Sequence, residues 1–125
     1  MGELKEINEV IETYLEGMRT GDENLWRKAF YSDCVVINAN EEDREKSKTM
    51  IADYAAFIKA QHDNDIPCEE FPLDRDISFV GNIANVRLKW RFELGIQILY
   101  GTTFFNLVKR HGVWKVSQKI YYVTS

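Results

Sequence analysis

The most restrictive feature of this sequence is a long run of aromatic and β-branched residues from Ile98 to Val123. Such residues are typical of strands, and the run is interrupted at Arg110-His111-Gly112, where a glycine suits a tight reversal. The pattern predicts two long strands joined by a hairpin turn. Because neither strand has a plainly polar face, we expect both faces to be covered, one by helices and the other by a second subunit.

The N-terminal half of the chain has the spacing of helices. Apolar residues recur at helical intervals from residue 3 to about 19, and a second, shorter helix is expected at about 23–30. Gly21 suits the C-terminal cap of the first helix, and Asp22 suits the N-terminal cap of the second. Ser47 is expected to cap a third helix that runs to about residue 62.

Strand patterns fill the remaining positions. Residues 34–37 predict a short buried strand, residues 69–80 predict a longer one, and strict alternation from Ala84 to Leu94 predicts the next. Together with the C-terminal hairpin, these patterns predict a single α+β domain over residues 1–125. Its three N-terminal helices pack on a strongly curved antiparallel sheet, and the two close into a cone with an internal pocket.

Composition and net charge limit the classes of partner and cofactor that we expect for this protein. The chain has 125 residues and a net charge of -4, which is unlike the basic surface of a nucleic-acid-binding protein. It has neither an apolar run of membrane-spanning length nor a signal peptide, so we expect a cytoplasmic protein with no membrane partner. Cys34 and Cys68 are expected to be two buried thiols, because no metal-binding spacing surrounds them, and no cofactor is predicted.

A set of short motifs spans nearly the whole chain. Tyr14-Leu15 precedes Thr20-Gly21-Asp22, Ala29-Phe30 and Asp33 follow, and Gly112-Val113-Trp114-Lys115-Val116 precedes Lys119. In this order the motifs resemble the nuclear transport factor 2-like (cystatin-like α+β cone) superfamily, and within it the lumazine-binding-like and SnoaL-like group. The resemblance implies the cone fold and its pocket, but it does not imply a particular reaction.

The steroid delta-isomerases of that superfamily provide a test for catalytic residues. By this resemblance, Tyr14 occupies the place of an oxyanion-binding tyrosine. Asn38 stands where the isomerases have a basic aspartate, and Asn106 stands where they have a second, protonated aspartate. An amide keeps the hydrogen-bonding shape but has no titratable proton. The sequence therefore argues against an isomerase of that mechanism.

Ten residues are candidates for the pocket lining, selected as aromatic or polar residues on the predicted inner elements. They are Tyr14, Asn38, Tyr54, Trp90, Phe92, Tyr100, Phe104, Asn106, Lys119 and Tyr121. The aromatic members fit an ordinary core equally well. Lys119 either extends its ammonium into water or points inward, where it would favour an anionic or carbonyl-bearing ligand.

Three functions remain open from the sequence. The first is a homodimeric protein that binds a flat or ring-bearing small molecule in a mainly apolar, aromatic pocket. The second is a cofactor-free isomerase, cyclase or dehydratase of small carbonyl compounds, in which Tyr14 and Lys119 are the candidate catalytic residues. The third is a protein-interaction module, which would show an exposed apolar patch outside the dimer interface.

Overall fold

The computed structural model describes residues 2–125, and Met1, the first residue of the predicted domain, lies outside them. The elements follow in the order α1 (Glu3–Thr20), α2 (Glu23–Ala29), β1 (Phe30–Asn38), β2 (Lys48–Met50), α3 (Ile51–Asp63), β3 (Cys68–Val80), β4 (Ile83–Leu94), β5 (Gln97–Arg110) and β6 (Val113–Val123). The six strands form one sheet in the order β2-β1-β6-β5-β4-β3. The predicted α+β class, with three helices on a curved sheet, is confirmed.

The first two helices form where the sequence predicts them. The inward stripe of α1 is buried and consists of Ile7, Ile11, Tyr14, Leu15 and Met18. Gly21 ends this helix with a φ of 75°, and its N–H donates to the carbonyl of Gly17 at 2.8 Å. The Asp22 carboxylate then accepts from the N–H of Asn24 and begins α2, as a side-chain cap does.

The sheet is mixed, whereas the sequence predicted only antiparallel strands. The two hairpins β4–β5 and β5–β6 are antiparallel as expected, but β1 runs parallel to β6 and pairs Val36 with Lys119. Parallel neighbours are joined by long crossover connections rather than by a turn. The residues near β1 and β6 in the sequence therefore do not indicate that these two strands pair. The pairing depends on the tertiary fold.

The predicted start of the third helix is wrong. Residues 48–50 form β2, which pairs antiparallel with β1, and α3 begins only at Ile51. The Ser47 hydroxyl donates to the carbonyl of Arg44 at 2.6 Å, and α3 has no side-chain cap. Backbone pairing with β1 gives residues 48–50 partners for their polar groups, and this outweighs the local helix signal.

The inner face of β4, β5 and β6 divides into two halves along the strands. In the packed half, inward side chains are almost fully buried and belong to the same core cluster as those of the helices; they include Val86, Leu88, Phe105, Leu107 and Val116. In the hollow half, the inward side chains surround open space; they include Trp90, Phe92, Leu99, Thr103 and Tyr121. Irregular pairing at Pro72 and at Asn106 bends the sheet between its ends.

The helices of residues 2–125 all fall short of the combination of length and apolar character that crossing a bilayer requires.

Candidate functional site

The hollow half of the cone contains a cavity of about 270 Å³. Helix α3 covers it with Tyr54, Phe57 and Ile58. The strands supply the rest of the lining: Asn38, Glu70, Trp90, Phe92, Leu94, Leu99, Thr103, Lys119, Tyr121 and Val123. Most of these side chains are apolar or aromatic, and a few polar groups lie among them, which is the usual composition of a small-molecule site.

A larger hollow of about 420 Å³ lies between α2, α3 and β1. Its charged lining residues are Glu23, Arg27 and Lys115, and none of the three is buried. Charges that remain hydrated have no unmet need for a ligand. The cone cavity, where polar groups are withdrawn from water, is therefore the candidate site.

Gly101 determines where the largest ring of the cavity lies. The Trp90 ring covers Gly101 so closely that a Cβ at this position would lie 2.5 Å from the ring and 2.3 Å from the carbonyl oxygen of Tyr122. The Trp90 Nε1–H donates to the Thr103 hydroxyl at 2.8 Å. This hydrogen bond fixes the ring plane and leaves the Thr103 proton as a donor for another partner.

Glu70 is a fully enclosed carboxyl group in the cavity wall. Its Oε1 accepts a hydrogen bond from the Tyr14 hydroxyl at 2.5 Å. Its Oε2 is buried and has no hydrogen-bond partner among residues 2–125. Burial raises the pKa of Glu70, and the charge of Lys119 and the Tyr14 hydrogen bond oppose that rise. The open oxygen is therefore available to carry a proton or to accept a hydrogen bond.

Lys119 is enclosed by aromatic rings. The residue is 2% exposed, and its Nζ lies 4.3 Å from the ring centre of Tyr54, 5.0 Å from that of Tyr14 and 5.3 Å from that of Tyr121. Within the described chain, no carboxylate lies within 4.0 Å of this ammonium. Burial lowers the pKa of Lys119, against the opposing effect of Glu70.

The phenols of Tyr54 and Tyr121, whose rings lie beside the Lys119 Nζ, are kept in their neutral form. Burial raises the pKa of Tyr54 above its ordinary value, and it does the same for Tyr121. Neutral phenols present electron-rich ring faces to the ammonium, and such contacts stabilise a cation by about 0.5–2 kcal/mol each. That is less than a direct ion pair with a carboxylate would supply to a buried cation. The three ring contacts therefore do not replace an ion-pair partner for Lys119.

The two thiols lie close to this site but are not reactive there. Cys34 and Cys68 are both free and buried, as the sequence predicted. Burial raises the pKa of Cys34 to about 12 and that of Cys68 to about 11. Both therefore remain protonated at neutral pH and are poor nucleophiles. No group of three potential ligands among residues 2–125 is arranged to hold a metal ion.

The structure brings most of the predicted site residues together, but not all of them. Those that line the cavity are Asn38, Tyr54, Trp90, Phe92, Lys119 and Tyr121. Tyr14 lies behind Glu70, since its hydroxyl is bonded to that carboxyl group. For Lys119, the inward orientation is the one found. Contact of these residues with a ligand stays a prediction.

Tyr100, Phe104 and Asn106 lie on the outer face of the sheet and do not line the cavity. Their neighbours Gly101, Thr103 and Phe105 face inward, so strand alternation turns these three outward. Asn106 accepts a hydrogen bond from Asn85 at 2.9 Å on one side and donates to the Gln118 side chain at 3.0 Å on the other. The sequence could not assign the faces because both faces of β5 carry aromatic residues.

Glu70 and Thr103 were missed by the sequence analysis. Glu70 follows Glu69 directly, and two adjacent acidic residues in a strand normally indicate a solvated edge. One signal was present: strand alternation places Glu70 on the same face as Cys68, an apolar-type residue that is buried in most proteins. Thr103 lies between Gly101 and Phe105, and nothing in that pattern separates it from an ordinary strand threonine.

The model of one family, described as "Putative lumazine-binding", matches residues 2–122. No curated protein matches the chain significantly. Among solved structures, an NTF2-like protein of unknown function from Shewanella baltica OS155 is 28% identical, with a TM-score of 0.74; the match covers 98% of this chain and 94% of that one.

Two further solved structures, with lower sequence identity to this chain, share the fold. An uncharacterised protein with a cystatin-like fold from Caulobacter vibrioides is 12% identical with a TM-score of 0.79, and the match covers 100% of this chain and 92% of that one. A protein described as a putative scytalone dehydratase, from Novosphingobium aromaticivorans DSM 12444, is 22% identical with a TM-score of 0.76; here the match covers 98% and 85% of the two chains. The predicted cone fold and the superfamily resemblance are thereby confirmed.

Proposed function

This chain belongs to the family described as "Putative lumazine-binding", and from that premise we propose that it binds a small ring-bearing organic molecule in the cavity of its cone. The cavity of about 270 Å³ lies just below the range of roughly 300–1,000 Å³ that is typical of ligand pockets, which favours a ligand of one or two rings. Trp90, Tyr54 and Tyr121 offer ring faces and edges on which such a molecule can stack.

One observation carries this proposal: two residues of the cavity lining, Glu70 and Lys119, carry buried polar groups of opposite type without a hydrogen-bond or ion-pair partner for Glu70 Oε2 or Lys119 Nζ in residues 2–125. Glu70 Oε2 accepts no hydrogen bond within the described residues, and the Lys119 ammonium has aromatic neighbours in place of a carboxylate. A buried polar group without a partner costs about 1–3 kcal/mol. A core that served only stability would fill these positions with apolar side chains. The arrangement instead suits a ligand with a hydrogen-bond donor beside an oxygen acceptor.

Calorimetric titration with lumazine, a flat bicyclic pteridinedione, tests this proposal. We expect one site per chain, and we expect Lys119→Met to weaken binding by about tenfold, which is the loss of roughly one hydrogen bond to a charged group. Lys89→Met is the matched control, because Lys89 is exposed on the outer face of the neighbouring strand β4. Binding that Lys119→Met and Trp90→Ala both leave unchanged would place the ligand elsewhere.

A second candidate function is proton transfer on a small carbonyl compound, as in a cofactor-free isomerase, cyclase or dehydratase. The observation that favours it is Glu70 itself, because the base that the sequence lacks at Asn38 is supplied from β3. In this version Tyr14 positions Glu70 rather than contacting the ligand. The test is deuterium exchange into the α-carbon of 2-tetralone. Glu70→Gln is expected to abolish it, and Glu69→Gln, one residue away on the opposite face, to leave it intact.

We further propose that the protein is a homodimer through the outer face of the sheet. Four large side chains of β5 and β6 are exposed there, namely Ile98, Tyr100, Phe104 and Tyr122. The same face carries acidic residues on β3 and basic residues on β4, including the Asp76–Arg87 pair at 3.2 Å. A face with both signs of charge can be self-complementary across a two-fold axis.

Light scattering coupled to size exclusion tests the dimer. A dimer is expected at micromolar concentration, and Phe104→Glu is expected to produce monomers that still bind the ligand. Leu4→Glu, at an apolar position on α1 that is also exposed, serves as the control and should remain dimeric. A monomeric native protein would instead leave this face to the protein-interaction module that the sequence also allowed.

A further inference from the structure

Lys119 places an amine in the wall of the cone cavity. The chain has nine lysines, and Lys119 is the one that lines the cone cavity. Its Nζ is surrounded by three tyrosine rings and lacks a carboxylate within 4.0 Å in residues 2–125. A lysine held in this way is not fixed by an ion pair, and a desolvated amine spends more of its time unprotonated.

Glu70 supplies the second group that such chemistry needs. It lines the same cavity, and the Tyr14 hydroxyl occupies its Oε1, which leaves Oε2 as the position for a mobile proton. Burial raises the pKa of Glu70 and lowers that of Lys119, so both shifts favour the neutral acid beside the neutral amine. The cavity thus combines an amine, an acid and aromatic walls.

We propose that Lys119 forms an imine with an aldehyde or ketone bound in the cavity, with Glu70 as the proton carrier. This goes beyond reversible binding, because it adds a covalent step and restricts the ligand to a carbonyl compound. The amine nitrogen attacks the carbonyl carbon and forms the C–N bond. The carbonyl oxygen takes up a proton that the nitrogen loses, and a neutral carbinolamine results.

The second step expels water. Glu70 Oε2 gives its proton to the carbinolamine oxygen, the C–O bond breaks, and the nitrogen lone pair forms the C=N bond. The products are a protonated imine on Lys119, the Glu70 carboxylate and one water molecule. Atoms and charge balance, because a neutral amine, a neutral acid and a neutral carbonyl compound give a cation, an anion and water. The cation and the anion that form lie in the same cavity and stabilise each other.

Reductive trapping tests this inference on the native protein. Benzaldehyde is added with sodium cyanoborohydride at neutral pH, and peptide mapping locates the benzyl groups. We expect Lys119 to be labelled at least about tenfold faster than any exposed lysine, because burial favours its neutral form. We also expect Glu70→Gln to slow this labelling by about 100-fold, the usual contribution of a general acid.

Three comparisons make the result decisive. Lys119→Arg keeps the charge and is expected to lose the selective adduct, whereas Lys89→Arg is expected to keep it. Benzyl alcohol, which has the same ring without a carbonyl, is expected to compete with labelling at Lys119 alone. Labelling of Lys119 no faster than that of the exposed lysines would overturn the imine. If benzyl alcohol and lumazine still bound in that case, the proposed binding function would stand without it.

Discussion

The packed and hollow halves of the cone are built from the same three strands, yet they differ in the side chains that they present and in how tightly those side chains are packed. Along β4, β5 and β6, the packed half presents aliphatic residues and Phe105 to helix α1, and these side chains are almost fully buried. The hollow half presents Trp90, Thr103 and Tyr121 to a cavity. Lys119 lies at the boundary, opposite Phe105 in the pairing of β5 with β6.

The difference shows what each half contributes. In the packed half, Tyr14 contacts Trp26 and Phe105 with ring centres 5.1 Å apart in both pairs, an edge-to-face cluster that joins α1, α2 and the sheet. In the hollow half, the same Tyr14 is bonded to Glu70, whose Oε2 has no hydrogen-bond partner among residues 2–125. We infer that stability is concentrated in the first half and that the second half gives up some stability to keep its polar groups available.

The largest expected effect contrasts two phenylalanines. Phe105→Ala removes a fully buried ring from the packed half and is expected to lower the free energy of unfolding by about 3–5 kcal/mol. Phe92→Ala, in the partly buried wall of the hollow half, borders space that already exists and should cost less than half as much. Urea denaturation of the two variants measures this ratio. Equal losses would remove the distinction between the halves.

Gly101→Ala sharpens the comparison inside the hollow half. The new methyl group would lie 2.3 Å from the Tyr122 carbonyl oxygen and 2.5 Å from the Trp90 ring, so the strand or the ring must move. We expect a loss of about 1–3 kcal/mol on thermal or urea unfolding, together with a shift in tryptophan fluorescence. Gly81→Ala at the β3–β4 turn is a control for the substitution type, because its Cβ would meet open space, although its φ of 56° adds backbone strain.

Lys119→Met tests whether stability has been given up for function. The Lys119 Nζ has three ring faces as neighbours, and the negative charge of Glu70, which raises the pKa of Lys119, is reduced as the pH falls. Replacement by an apolar side chain of similar length is expected to raise the free energy of unfolding at pH 5 by about 1 kcal/mol. Chemical denaturation at pH 5 measures it. A clear loss of stability would show instead that Lys119 is a structural residue.

The smallest expected effect is the pH dependence that Glu70 imposes. Since its folded pKa is raised from 4.5, the native state keeps a proton that the unfolded chain releases, and the stability contributed by this proton is lost as the pH rises from about 4.5 through the folded pKa. The stability of the native protein relative to Glu70→Gln should therefore fall over that interval. A difference that is constant with pH would contradict the assigned shift.

The local sequence determined the elements of this protein. Apolar spacing and the glycine and aspartate caps fixed α1 and α2, because helix ends depend on neighbouring residues. Clean alternation fixed β4, and turn residues at Gly81 and Gly112 fixed two hairpins. The motif set at both ends of the chain was enough to indicate the superfamily and hence the cone.

Only the tertiary structure decided the rest. The parallel pairing of β1 with β6 and the short strand β2 depend on backbone partners far away in the sequence. The faces of β5 depend on which side the helices cover, so Tyr100 and Phe104 point outward although their residue types fit either side. Glu70 lines the candidate site because β3 turns it toward Tyr14, 56 positions away in the chain. A carboxyl group acquires a function from burial and neighbours, and neither is encoded in adjacent residues.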